Sequence, residues 1–415
     1  MSAALYRLRV GWSGRFAGYF KVGVSLIAPA TDSPGYDRLG DNIAIPNYGG
    51  AYDTIADDKY GILNFGLTRG RDDQFANMLA GQLEVTFNDV WPGRYNPKNP
   101  SSPLFGDILP MRPCCFDATL DGGSSWIQLF NGWLAEVGSD VDVGGSAKFT
   151  FKDLFLWLER AKNVTIAPTG PTTVGAVINL CLDAVGWPAT LRNISTGSSI
   201  DDFSLSQGTS VLTALAELLQ VDLGYFFHSR DGYATYWDRY EMARKVSIGT
   251  FQIAKAANPG LSLDNVRNTA TATKTGGVQQ YWEDTESVNA YTANAWDDVE
   301  SPYFLNDNDA LGFCQMKVAM GAVPAVPVWT YTVQEGPSGY LPLILQAEFL
   351  DRVSIDAYGQ VGDYYVQKMV HRGEGGALHQ TDWTLSEKPF SNPFLVGVST
   401  IAPASNSAGY DRIWH

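Results

Sequence analysis

FKVGVSLIAPATDSPGYDRL at residues 20–39 returns near the other end of the chain as FLVGVSTIAPASNSAGYDRI at residues 394–413. At the constant offset of 374, fourteen of the twenty positions are identical, among them Val-Gly-Val-Ser, Ile-Ala-Pro-Ala and Gly-Tyr-Asp-Arg. Solenoids repeat every ~20–50 residues, so one recurrence at this distance implies two related modules rather than a stacked array. Such modules give internal pseudo-symmetry, by which a low-order ring imitates a higher-order one. A copied surface arm without a symmetry role is the other reading the residues leave open. Under the first reading, Tyr36, Asp37 and Arg38 make the same contacts at a ring interface as Tyr410, Asp411 and Arg412.

Between the copies the pattern is mostly that of short strands. Strands are expected at 5–12, 60–68 and 81–88, where Leu83, Val85 and Phe87 alternate onto one face. A strand pair at 112–120 and 126–137 turns at Asp121-Gly122-Gly123, and 147–151 feeds a short helix at 152–161. Residues 41–58 read as loop. The character changes near 164. Amphipathic helices are predicted at 172–185, with Thr172 as N-cap, and at 210–220, followed by a hairpin in which Tyr225 and Phe227 face Tyr233, Thr235 and Trp237. Strands are then expected at 266–273, 278–282, 328–333, 352–357, 363–372 and 380–387, with a helix at 307–320. The fold class is mainly β with an α+β insertion. The division is a first β domain at 1–161, an insertion at 162–242, a second β domain at 243–390 and an arm at 391–415.

Composition narrows the function. Apolar residues make up 45% and charged residues 18%, which is a packed chain rather than a disordered one. A net charge of −15 gives no basic footprint for wrapping nucleic acid; it fits plain solubility, with a surface past which DNA moves without sticking as the other reading. Cys114, Cys115, Cys181 and Cys314 have no zinc-ligand spacing and read either as thiols of a reducing compartment or simply as small buried apolar side chains. Arg7, Arg9, Arg15 and Lys21 break the N-terminal apolar residues, so no signal peptide is expected there, and no apolar run is long enough to span a membrane.

No catalytic constellation stands out, and no cofactor or metal is expected. His228, His371, His379 and His415 lack a metal-ligand spacing, and there is no nucleophile elbow or phosphate loop. Arg69 and Arg71 alternate in Thr-Arg-Gly-Arg-Asp-Asp and are placed either to clamp carboxylates across a subunit boundary or to pair locally at a strand end. The pairs Asp57-Asp58 and Asp140/Asp142 read as solvated turns rather than calcium sites. The aromatic hairpin reads as packing, with a sugar-stacking platform as its competitor.

A family resemblance rests on motifs in fixed order: GLTRGRDD at 66–73, AGQLEVTFND at 80–89, GRYNP at 93–97 and SSPLFGDILPMRP at 101–113. NGWLAE at 131–136, DAVGWP at 183–188, LDRV at 350–353, VHR at 370–372 and TDWTLS at 381–386 continue it. The chain resembles minor tail proteins of long non-contractile-tailed bacteriophages. It departs from their pattern at FNDVW, 87–91, and at Asp351, where glycine is usual. The resemblance implies a tail-tip or baseplate hub. Two tube-like β-barrel or sandwich domains per chain would let a trimer meet a hexameric tube ring, surround the tape-measure protein and open a path for DNA. The implied partners are further copies of the chain, the tube or distal tail ring, the tape-measure protein and other tip or fibre proteins. The implied location is the virion, after synthesis in the host cytoplasm. A receptor- or glycan-binding tip protein and, more remotely, a cell-wall hydrolase are the competing functions.

Overall fold

The structure, a computed structural model, describes residues 5–10, 53–57, 62–71, 79–88, 95–102, 104–121, 124–138, 146–252, 256–257, 263, 266–322, 329–334, 340–357, 360–374 and 379–387. Both copies of the repeated segment, with Tyr36, Asp37, Arg38, Tyr410, Asp411 and Arg412, lie outside the described residues, as do Asp58, Asp140 and Asp142.

The chain is mainly β. The first module contains β1 (Leu5–Val10), β2 (Asp53–Asp57), β3 (Ile62–Gly70), β4 (Leu79–Asn88), β5 (Pro113–Thr119), β6 (Ile127–Gly138) and β7 (Ser146–Lys152). The insertion follows as α1 (Leu154–Arg160), β8 (Thr172–Thr173), α2 (Val174–Ala184), β9 (Arg192–Ile194), β10 (Ser199–Ile200), α3 (Val211–Asp222), β11 (Tyr225–His228), β12 (Ala234–Trp237) and α4 (Glu241–Arg244). Then come β13 (Ser247–Phe251), β14 (Ala256–Ala257), β15 (Thr269–Lys274), β16 (Gln280–Glu283), α5 (Thr285–Tyr291), β17 (Val299–Ser301) and α6 (Asp307–Gly321). The last elements are β18 (Trp329–Gln334), α7 (Leu341–Gln346), β19 (Arg352–Ala357), β20 (Gln360–Glu374) and β21 (Gln380–Glu387).

Strands from both ends of the sequence join one thirteen-stranded sheet, ordered β14-β18-β21-β20-β3-β4-β7-β6-β5-β1-β2, with β19 on β20 and β13 on β19. The long strand β20 makes this possible. Its residues 360–365 pair with β19, and its residues 368–374 pair with β3. Since β21 occupies the other edge over 364–372, β19 and β3 share one edge of β20 in succession.

Each module buries its own apolar face. Tyr6, Leu8 and Val10 alternate inward from β1 and meet Phe65, Leu67, Leu83, Val85 and Phe149. The second core gathers Phe251, Tyr331, Val353, Ile355, Trp383 and Leu385. Helix α7 is wedged between them: Leu341 and Leu345, one turn apart, enter the first core, and Ile344 enters the second.

The insertion helices start where side chains can take up free backbone N–H groups. Asp153 accepts from Phe155 N at α1, Ser210 from Thr213 N at α3, and Asn306 from Asp309 N at α6. Thr173, not Thr172, caps α2, because its hydroxyl reaches Ala176 N. Residues 266–322 differ from the expected arrangement. Their strands form a separate sheet, β16-β15-β17, and Ala270, Ala272, Phe304, Phe313 and Val318 join the core of α1, α2 and α3. The described strands of the second module therefore come from 247–257 and 329–387. Within 41–58, expected to be loop, Asp53–Asp57 is a strand because β1 offers it an antiparallel partner.

Gly70 ends β3 with φ +113°, and a methyl there would lie 2.2 Å from the Gln367 carbonyl oxygen. Gly70→Ala is therefore expected to cost about 3 kcal/mol or more, while Gly66→Ala, with no heavy atom within 4 Å of the added carbon, stays within about 1 kcal/mol of the parent. Urea unfolding of the two variants measures the contrast.

Candidate functional site

The end of β3 carries two arginines into the place where both β modules and the insertion meet. Alternation along the strand sets Arg69 and Arg71 apart by one residue, and both are buried, at 6% and 5% exposure. Arg69 Nη2 donates to the His228 carbonyl oxygen at 2.7 Å and pairs with Glu348 Oε1 at 2.7 Å. Arg71 Nε donates to Gln367 Oε1 at 2.7 Å, and its guanidinium lies over the Tyr225 ring at 4.5 Å. Of the two sequence readings, local pairing describes the partners these arginines hold within the chain, where both forks are engaged and little of either side chain is exposed.

Glu348 collects further donors. Its Oε2 accepts from Arg230 N at 2.8 Å and its Oε1 from Phe349 N at 2.8 Å. Arg230 sits in the β11–β12 turn and donates from Nη1 to the Leu345 carbonyl at the end of α7. The same turn rests on the outside of β6, where Gln128 Nε2 donates to the Arg230 carbonyl at 2.6 Å. A methyl at Gly232 would meet Asn131 Nδ2 at 2.5 Å, so the close approach itself requires glycine. Below the charges, Tyr225, Phe227, Phe349, Leu350 and Tyr365 form a small apolar cluster.

Gln367 lies at the point where β20 changes partner. It is fully buried, its Nε2 donates to Ser386 Oγ at 2.7 Å, and its carbonyl accepts from Arg71 N at 2.8 Å. The β20–β21 register shifts between Val366 and Lys368, which marks it as a bulge.

Three histidines surround this junction, all buried. His228 is packed between Trp133 and Trp187, and burial, then the Arg69 charge, lower its pKa to about 3. His379 is lowered to about 4 by burial, and His371 well below the ordinary value by burial, then by His379, Arg69 and Arg230. His371 Nδ1 is 3.1 Å from His379 Nε2, and His379 Nδ1 is 2.8 Å from the Tyr6 hydroxyl, so β20, β21 and β1 are joined by one polar chain. Asp153, with Arg69 among its charged neighbours, behaves in the opposite sense. Burial pushes it up to about 7, although it accepts from Gly81 N at 2.7 Å and Phe155 N at 3.0 Å.

The remaining sequence candidates are not gathered here. In the aromatic hairpin, Tyr225, Phe226, Phe227 and Tyr236 are buried and only Tyr233 is exposed, so the rings serve packing. Among the described residues no group of three or more His, Cys, Asp or Glu side chains is arranged to hold a metal ion. The four cysteines are buried free thiols, with burial raising Cys181 to about 12 and Cys314 to about 11. Among the described residues no helix is long and apolar enough to cross a membrane. The arrangement is a mechanical lock. Sequence reading found Arg69 and Arg71 and weighed His379 only as a metal ligand, but missed Glu348, Gln367 and Asp153, which stand in no motif.

No family model and no curated relative matches the chain. Solved structures do. The 43 kDa tail protein of prophage MuSo2 from Shewanella oneidensis is similar over 83% of this chain and 96% of its own, with a TM-score of 0.54 at 14% identity. A tail protein from Neisseria meningitidis is similar over 83% of this chain and 95% of its own, with a TM-score of 0.56 at 12% identity. The chain has the fold of these phage tail proteins, in agreement with the sequence resemblance.

The junction makes two outcomes measurable. Glu348→Gln leaves the Arg69 guanidinium buried without its counter-charge and is expected to cost about 3 kcal/mol, whereas adding Arg69→Met costs clearly less than the sum of the two single changes. Denaturant midpoints around this double-mutant cycle give the coupling. Stability also falls in acid. Each lowered histidine stays neutral in the folded chain while the unfolded chain takes up its proton below about 6.5, removing about 1.4 kcal/mol per pH unit. Asp153 opposes this, since it is protonated in the folded chain from about 7 downwards and in the unfolded chain only near 3.8. Between about pH 6.5 and 4 the three histidines outweigh it. Urea midpoints at successive pH values should show a loss that Asp153→Asn steepens and His379→Gln flattens.

Proposed function

We propose that the chain is a structural component of a phage tail tip, a hub that forms a ring between the tail tube and the tip and surrounds the channel through which DNA leaves. The observation that carries the structural role is the tail-protein fold, which spans nearly the whole length of the two solved tail proteins. The ring reading is supported by the repeat at 20–39 and 394–413, which gives each of two β modules its own copy. In this reading the domains divide near 161, 242 and 390 as the sequence implies, with residues 266–322 packed on the insertion rather than in the second module's sheet, and the two β modules are pseudo-equivalent. A trimer then offers six similar faces to a hexameric neighbour. Tyr36, Asp37 and Arg38, with Tyr410, Asp411 and Arg412, make the matching ring contacts. Tube or distal tail protein, tape-measure protein and fibre proteins are the neighbours, and the assembled location is the virion.

No catalytic step is assigned: Arg69 is paired with Glu348, Arg71 with Gln367, and His371 with His379, inside the chain. A glycan platform on the β11–β12 hairpin loses its basis, since the rings that would stack on sugar are packed inside.

Removing residues 394–415 is expected to leave phage particles with absent or incomplete tail tips by electron microscopy and with lost infectivity. Normal, infectious tails from the truncated chain would overturn the ring reading while leaving the fold untouched.

A further inference from the structure

The sheet β16-β15-β17 has two unlike faces. One packs on α6, with Ala270, Ala272 and Val299 in the helical core. Register sets the opposite face: Thr271 lies across from Tyr281, Thr269 from Glu283, and Thr273 beside Glu300. Tyr281 is 52% exposed there and Glu283 and Glu300 are exposed with it, while Trp282 and Val278 are exposed along the rim; only the Thr269 end of this face is buried.

Charge identifies what would cover it. Residues 275–316 hold eight Asp and Glu and no Lys or Arg, about half of the chain's net −15 in about a tenth of its length. Glu283, Glu286, Asp297, Asp298 and Glu300 are exposed, and among the described residues none of the five is in an ion pair. The bracketing cations are engaged elsewhere, Lys274 with Asp201 at 2.7 Å and Lys317 over the Trp296 ring at 4.5 Å. Uncompensated like charge works against the folded state, and exposed rings gain nothing for it in water. Together they complement a cation that both stacks on a ring and pairs with carboxylates, which is arginine more than lysine. Phosphate backbones and anionic lipid surfaces are repelled. The carboxylates are also too dispersed to form a metal site.

We propose that the outer face of β16-β15-β17 is a docking surface for an arginine-bearing segment of a partner protein, with Tyr281 stacking on guanidinium and Glu283 and Glu300 pairing with it. The Tyr281 hydroxyl donates to Glu283 Oε2 at 2.5 Å, which holds ring and carboxylate together before a partner arrives. This surface does not rest on the ring reading.

The test uses the full chain and labelled nona-arginine, with fluorescence anisotropy at low salt. Glu283→Gln with Glu300→Gln is expected to weaken binding about tenfold, and Tyr281→Ser about threefold. Glu136→Gln with Glu159→Gln removes the same charge from exposed sites elsewhere and should change binding less than about twofold. Nona-lysine should bind more weakly than nona-arginine and be insensitive to Tyr281→Ser. Equal weakening in the control pair, parent-like binding by the face variants, or no preference for arginine over lysine would each overturn the proposal.

Discussion

The two β modules are joined through a single backbone event, the exchange of β19 for β3 along one edge of β20 at Gln367. A strand changes partner only where its register relaxes, and the bulge supplies that extra residue. The exchange leaves polar backbone in a dry place, where an unpaired group costs as much as a lost hydrogen bond. Arg71 answers it twice, with its own N–H to the Gln367 carbonyl and its Nε to the Gln367 side chain. Pairing also removes one exposed edge from each module, so two sheets that would each invite adventitious strands close upon one another.

Charge at this junction acts through specification more than through net stabilisation. Taking Arg69 and Glu348 out of water costs several kcal/mol per ion, and their attraction returns that only because the remaining lone pairs and N–H groups are also used. Glu348 meets the requirement, with Arg69, Arg230 N and Phe349 N as donors from all three units, the two β modules and the insertion. The histidines solve the same burial by the opposite route. Arginine keeps its proton under all ordinary conditions, whereas imidazole gives it up, so the dry site holds one as a cation and the other three as neutral rings.

What could be read in the sequence follows from how local each signal is. The strands at 352–357 and 380–387 coincide with β19 and β21, because alternation and turn residues define them without reference to the rest of the chain. The helix expected at 210–220 coincides with α3 for the same reason. The strand at Asp53–Asp57 was not legible, since its short DTIAD segment becomes a strand only through β1. Residues 266–322 show the same limit at a larger scale: α6 was legible from 307–320, but periodicity does not say which core its apolar side receives. Arg69 and Arg71 announced a clamp, and nothing local says whether the carboxylate it grips belongs to the same chain. Glu348 and Gln367 have no pattern around them, and only the crossing of distant strands makes them important.

The junction also fixes the angle between the modules. Helix α7 places Leu341 and Leu345 in one core and Ile344 in the other, each worth about 1.5–3 kcal/mol of burial. A hinge between the modules would withdraw at least one of these side chains, part the Arg69–Glu348 pair and strip the β20–β3 hydrogen bonds together. Hinges in proteins act through a few residues that absorb backbone change without breaking packed contacts. Here the same short region carries the strand exchange, the ion pair and the wedge.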